Sequence, residues 1–155
     1  MEELLIFLIV LPLAIWRQMS PHRVTVQRLA LLPSVFLVLG VAGTVTGEMP
    51  TDAEAIAYLV VSAAIGIGFG AWRGVVIPVW RDGEDWFEQG NRSTLVLWGV
   101  MLGLKFGIAA IVSAADIYPG EHPGELYIFI AISFAVQELI VARRSIWSAP
   151  ASASP

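Results

Sequence analysis

Lys105 and Glu138 are ionisable side chains that lie well inside apolar runs of this sequence. A charge at the centre of a bilayer costs about 3 kcal/mol on insertion scales, so each residue needs a protein neighbour or a wet cavity. If their two helices are antiparallel neighbours, the Lys105 side chain leans inward and that of Glu138 leans outward. The spacing therefore makes an ion pair or a water-bridged contact between them feasible, with Gln137 beside it.

Three interpretations of this pair stay open. In the first, it is a buried polar contact that sets the register of two helices, or the lysine snorkels toward water. In the second, Glu138 exchanges a proton or binds a cation and Lys105 tunes its pKa, as in a small proton-linked transporter. In the third, Glu138 is a catalytic general acid or base and Lys105 a catalytic positive charge in an intramembrane enzyme that acts on an isoprenoid or lipid-like substrate. The hydroxyl residues available to line such a cavity are Thr44, Thr46, Ser62, Ser113 and Ser133.

The composition excludes a soluble domain. The chain has 155 residues, of which 57% are hydrophobic and 14% are charged, and its mean hydropathy is +0.74. These values are typical of an integral membrane protein. The chain has no cysteine, which excludes disulfides, cysteine-ligated zinc and iron–sulfur clusters. We expect no cofactor, no metal and no nucleic-acid partner.

Five apolar runs predict an all-α fold of about five transmembrane helices in one domain over residues 1–147, because a helix needs about 20 residues to cross the hydrocarbon. The tail at 148–155 is rich in small residues and proline, and we expect it to be disordered. The first run is short and contains Pro12, so an interfacial helix is the alternative there. Pro33 lies one turn into the second run, where proline costs least. The runs are Leu4–Trp16, Leu29–Thr46, Ala55–Trp72, Leu95–Ala115 and Leu126–Ala142.

The charges between the runs predict an orientation. Basic residues occur in the first and third loops and after the fifth run, whereas the second and fourth loops hold acidic residues. Cytoplasmic loops retain Lys and Arg, so we expect the amino terminus outside and the carboxyl terminus inside a multi-pass protein of the inner (plasma) membrane. The basic residues are Arg17, Arg23, Arg28, Arg73, Arg81, Arg92, Arg143 and Arg144.

The third loop contains Asp82-Gly83, a dipeptide that favours a type I′ turn, and it predicts a cytoplasmic β-hairpin at about residues 75–89. In this register Arg81 faces Glu84 across the turn. The predicted strands are Val75–Trp80 and Glu84–Gln89.

Two acidic segments could hold a cation, although a solvated hairpin explains the first better and a polar turn explains the second equally well. One is the set of hairpin carboxylates, whose neighbouring side chains point to opposite strand faces. The other is the predicted outer turn, which contains His122. The only other histidine, His22, is predicted on the opposite side of the membrane, which excludes haem ligation by both. The acidic residues are Asp82, Glu84, Asp85 and Glu88 in the hairpin and Glu121 and Glu125 in the turn.

Three segments of the sequence, "GFGAWRG", "VWRDGEDW" and "STLVLWGVMLGLK", follow one another in the plan of short bacterial membrane proteins of the CcdC-like family. The chain resembles that family from about Arg17 to Gly107. The resemblance implies a helix that ends in small residues and arginine, an Asp-Gly hairpin and a further helix. It implies no defined activity and no catalytic residue.

Glycines four residues apart give two helices a smooth face on which another backbone can pack closely. The sets are Gly66 with Gly70, and Gly99 with Gly103 and Gly107. They predict tight packing of the third and fourth helices, against each other or across a homodimer. The sequence therefore predicts a small binding or accessory component of the membrane, with a polar site at Lys105 and Glu138 and a small lipophilic ligand.

Overall fold

The computed structural model describes residues 2–45, 53–115 and 123–145. Within these ranges the chain is mostly helical and carries one small antiparallel sheet. The predicted disordered tail lies outside the described residues. The elements are α1 (Glu2–Met19), β1 (His22–Arg23), α2 (Val26–Val45), α3 (Ala53–Val76), β2 (Val79–Asp82), β3 (Asp85–Glu88), α4 (Arg92–Ala114) and α5 (Pro123–Arg144).

Four helices, α2 to α5, are long and apolar enough to cross a membrane in the described part of the chain. In α1 the corresponding apolar segment, Ile9–Met19, is shorter. Large apolar side chains on the outer surface are exposed, among them Val38 and Ile111, as lipid-facing positions would be. The architecture is that of an all-α membrane protein, while the orientation of its termini stays a prediction.

Helix α5 lies at the centre of the bundle. Of its most apolar window, 61% is buried, against 17% to 28% in the other three long helices. Helices α2 and α3 both pack against α5, and α4 packs against α3. The core joins Phe36 of α2, Trp98 and Met101 of α4, and Phe134 of α5. The helix next to α5 in sequence, α4, is therefore not its main packing partner.

The glycines of α3 allow α5 to approach very closely. A Cβ atom at Gly70 would collide with the backbone carbonyl of Ser133, and one at Gly74 would lie 2.9 Å from the carbonyl oxygen of Gln137. At Gly66 the nearest atom is the carbonyl oxygen of Phe129, at 3.2 Å. The structure thus puts α5 in this groove, rather than α4 or a second copy of the chain.

The glycines of α4 face the other way. A Cβ atom at Gly99, Gly103 or Gly107 would meet no described atom within 4 Å, whereas Lys105 on the same helix is buried. Lys105 therefore points away from the glycine face of α4. A homodimer through the face stays a prediction.

The hairpin is confirmed, but its predicted turn is wrong by one residue. Arg81 pairs with Trp86 and Asp82 with Asp85, so the turn residues are Gly83 and Glu84. Gly83 has φ +63°, and hairpin turns of types I′ and II′ both need positive φ at their first central position. The glycine therefore occupies that position rather than the second. The predicted first strand also began too early, because Val75 and Val76 continue α3.

A third strand, β1, was not predicted; it pairs with β3 in the sheet order β1-β3-β2. Two residues are too few to show a strand pattern in sequence. His22 Nε2 lies 2.9 Å from Glu88 Oε1, and Nδ1 lies 2.8 Å from the carbonyl oxygen of Ser20. The hydrogen bond to Glu88 raises the pKa of His22 above its ordinary value. Because both ring nitrogens face acceptors, the protonated form of the ring can donate a hydrogen bond from each nitrogen and so link the α1–α2 connection to the sheet.

We predict that Gly70→Ala destabilises the bundle by about 1–3 kcal/mol, as overpacking does, because its methyl group would meet the Ser133 carbonyl. Gly103→Ala is the matched control, since it places the same methyl group in open space on another long helix. Thermal unfolding in detergent should show a lower Tm for the first variant and an unchanged or higher Tm for the second. Equal Tm values would contradict the close approach of α3 and α5.

Candidate functional site

Lys105 lies at the centre of a buried group that joins three helices. Its side chain is 1% exposed, and its ammonium nitrogen lies 2.8 Å from Tyr58 Oη, 2.9 Å from Ser62 Oγ and 2.5 Å from Glu125 Oε1. Tyr58 and Ser62 belong to α3 and Glu125 to the first turn of α5. An ammonium has three N–H donors, and these acceptors match them in number. We call these four residues the lysine cluster.

The contact between Lys105 and Glu138 that the sequence made feasible is not formed, because the Lys105 ammonium binds the other three residues of the lysine cluster instead. Met101 Sδ lies 3.4 Å from Ser133 Oγ, which sets the level of α4 against antiparallel α5. One turn further along α4, Lys105 is level with Phe129, whose ring centroid is 5.4 Å from the ammonium. From Phe129 to Glu138 is nine residues, or about 14 Å along the helix. The sequence does not show the depth of α4 relative to α5, so it could not show that Lys105 and Glu138 lie at different levels.

A second buried polar group surrounds Arg73. The arginine is 0% exposed, and its Nη2 donates to Ser133 Oγ at 2.7 Å. Its guanidinium carbon lies 3.9 Å from the ring centroid of Trp98 and 5.5 Å from that of Phe134, so the cation stacks on aromatic faces. The indole nitrogen of Trp98 in turn donates to Gln18 Oε1 at 2.8 Å.

Glu138 lies beside this arginine on α5. Its Oε1 accepts a hydrogen bond from Gln137 Nε2 at 3.2 Å, and Arg73, Arg17 and Glu88 are within its electrostatic reach. The described residues contain no direct ion pair between Arg73 and a carboxylate. The name arginine cluster is used below for Gln18, Arg73, Ser133, Gln137 and Glu138.

The two clusters differ in how well their polar atoms are satisfied. Six buried side-chain atoms have no hydrogen-bond partner in the described part of the structure, five of them in the arginine cluster and none in the lysine cluster. A buried polar atom left unpaired costs about 1–3 kcal/mol, so each marks a place where a further polar group would be favourable. The atoms are Gln18 Nε2, Arg73 Nε and Nη1, Gln137 Oε1, Glu138 Oε2 and, at the sheet, Glu88 Oε2.

A groove between α2 and α5 reaches the arginine cluster at Glu138. Its volume is about 300 Å³, and we call it the α2–α5 groove. Its lining is apolar apart from Ser34 and Glu138, and Glu138 is the one ionisable residue among the described lining residues. The lining consists of Val26, Leu29, Ala30, Pro33, Ser34, Ala135, Glu138, Leu139 and Ala142.

Pro33 adds a backbone feature to this groove. Helix α2 begins at Val26, so Pro33 is two turns into the helix and not one turn, as its predicted start at Leu29 implied. Proline has no amide hydrogen, so the carbonyl of Leu29 lacks the donor that an α-helix would supply. Leu29 and Pro33 both line the groove. The groove therefore lies at the break in the backbone hydrogen bonding of α2, and Glu138 adds a carboxyl group from α5.

Sequence reasoning missed Arg73 as a site residue, because it placed this arginine in a loop at the membrane surface. The structure keeps it within α3, which continues to Val76. A signal was present: Gly74 extends the four-residue spacing of Gly66 and Gly70 beyond Arg73. Glu125 was likewise assigned to a loop, yet it lies in the first turn of α5.

The acidic segments show no cation site where they are described. No group of three or more His, Asp or Glu side chains in residues 2–45, 53–115 and 123–145 is arranged to hold a metal. Asp85 instead pairs with Arg23 at 2.9 Å, and Glu125 with Lys105. Of the other predicted positions, Thr46, Glu121 and His122 lie outside the described residues.

No protein-family model, curated protein or solved structure matches this chain. The resemblance to CcdC-like membrane proteins therefore stays a prediction.

We predict that Lys105→Met destabilises the protein by about 3–5 kcal/mol, because it leaves Glu125 buried without its ion-pair partner. The double variant Lys105→Met/Glu125→Gln should recover part of this loss, since the remaining side chain is neutral. The measurement is thermal unfolding in detergent, with Glu138→Gln as a control that leaves the lysine cluster intact. A double variant no more stable than Lys105→Met would show that the ion pair does not determine the effect.

Proposed function

We propose that this protein is a small membrane-embedded binding component, which holds the tail of an amphiphilic, lipid-soluble molecule in the α2–α5 groove and its polar head at Glu138. The proposal rests on one observation. The apolar groove reaches Glu138, which also belongs to a buried polar cluster whose hydrogen bonds are incomplete. Small-molecule sites in proteins typically combine an apolar lining with a few convergent polar groups.

The position of Glu138 on α5 explains how the groove and the cluster meet. Ser133 and Gln137, one turn apart, face α3, where Gly70 and Gly74 receive their carbonyl groups. The next residue, Glu138, is turned about 100° around the helix, toward α2. It is 8% exposed and lines the groove, while its Oε1 still contacts Gln137. A head group in the groove would therefore meet Glu138 first.

The lysine cluster supports a different role for Lys105. The three donors of its ammonium have three acceptors on two neighbouring helices. This arrangement is suited to holding α3, α4 and α5 in fixed positions relative to each other. An acid/base pair of Lys105 and Glu138 has no geometric basis at a separation of about 14 Å along the helix. Among the open interpretations, binding at Glu138 therefore has more support than an enzyme that uses both residues.

The proposal predicts that a bulky side chain in the groove abolishes ligand binding. The probe is tritiated farnesol, an isoprenoid alcohol, titrated against the full chain in phosphatidylcholine nanodiscs. Ala135→Phe fills the groove from α5 and should weaken saturable binding at least ten-fold. Ala110→Phe, at an exposed position of α4, is the matched control and should bind as the wild type does.

Two outcomes would contradict the proposal. One is farnesol uptake that never saturates above that of empty nanodiscs, which would mean simple partitioning into lipid. The other is equal weakening by both variants, which would place the effect on the bundle as a whole rather than on the groove.

A further inference from the structure

We infer that the head group held at Glu138 is an uncharged hydrogen-bond donor, of the kind that a hydroxyl group on an isoprenoid or other lipid provides. This inference rests on the proposed function and specifies the ligand that the α2–α5 groove selects.

The groove presents hydrogen-bond acceptors. Glu138 Oε2 is buried and has no hydrogen-bond partner in the described part of the structure. The carbonyl of Leu29 lacks its helical donor because residue 33 is proline. Ser34 is the remaining polar residue of the lining, and its hydroxyl can both accept and donate. A ligand that donates a hydrogen bond satisfies Glu138 Oε2, whereas one that only accepts leaves this atom unpaired.

The apolar lining and the acidic residues near Glu138 disfavour a charged head of either sign. A phosphate or carboxylate in the groove would bring an anion beside the acidic residue Glu138, with Glu88 of the sheet also within electrostatic reach of that residue. An ammonium would lose its hydration in a lining that is apolar apart from Ser34 and Glu138, and the attraction of a buried ion pair often fails to repay that desolvation. Charges interact more strongly in a poorly solvated site than in water. A neutral donor avoids both the repulsion and the desolvation cost.

The position of the polar groups also suits a long apolar tail. The lining residues other than Ser34 and Glu138 are apolar. Both helices that line the groove also carry exposed apolar side chains, such as Val38 on α2 and Leu139 on α5. A tail that leaves the groove would therefore continue along surfaces suited to lipid. Ser34 and Glu138 are the polar residues of the lining, so they select the head.

Three probes with one tail separate the effect of head-group charge: farnesol, farnesyl monophosphate and farnesylamine. Binding is measured with the full chain in phosphatidylcholine nanodiscs, whose neutral surface limits charge-dependent partitioning. We expect farnesol to bind at least ten-fold more tightly than either charged probe. In Glu138→Gln, which keeps an acceptor but removes the acidic group, the disadvantage of farnesyl monophosphate should shrink at least five-fold.

The outcomes separate this inference from the proposal beneath it. If farnesyl monophosphate or farnesylamine binds as tightly as farnesol and Ala135→Phe abolishes that binding, the groove is a binding site and the inference about its head group is wrong. The inference would also be overturned if Glu138→Gln left the difference in affinity between farnesol and farnesyl monophosphate unchanged. If none of the three probes binds saturably, the proposed function and the inference both fail.

Discussion

The close contact between α3 and α5 is the constraint on which the rest of the structure depends. Because Gly66, Gly70 and Gly74 have no side chains, the backbone of α5 lies directly against α3. In a bilayer, where apolar burial gives little driving force between helices, such contact supplies the packing that holds a bundle together. It fixes α5 at the centre and brings Ser133 within hydrogen-bond distance of Arg73. Larger residues at these glycines would separate the groups that form both polar clusters.

Two buried cations with different surroundings contact residues at this interface. Lys105 comes from α4 and Arg73 from α3. Lys105 has an acceptor for each donor and an acidic partner at 2.5 Å, so its charge is compensated within the protein. Arg73 has one hydrogen bond and an aromatic platform, but its Nε and Nη1 are unpaired among the described residues. Compensated charges of this kind fix the arrangement of helices, at a considerable desolvation cost. An incompletely paired cluster beside a groove is instead suited to receiving a further polar group, which is why we assign binding to the Arg73 end.

The sequence predicts local features well and helix register poorly. The apolar runs predicted the helices, and the burial cost of a charge correctly required a protein partner for Lys105. Its partner could not be predicted, because the depth of α4 relative to α5 depends on which helices pack together rather than on loop lengths. Arg73 was misplaced because an arginine near a helix end is normally solvated, and only the continued glycine spacing indicates otherwise. The strand at His22 depends on pairing with a segment 66 residues away, which no local pattern contains.

The most direct measurement is photo-crosslinking of a diazirine-bearing isoprenoid alcohol to the full chain in nanodiscs, with the labelled residues identified by mass spectrometry. Binding in the α2–α5 groove predicts saturable labelling of residues such as Pro33 and Leu139, reduced by an excess of farnesol. Labelling spread over the exposed apolar surface of α4, and insensitive to farnesol, would contradict a ligand site at Glu138.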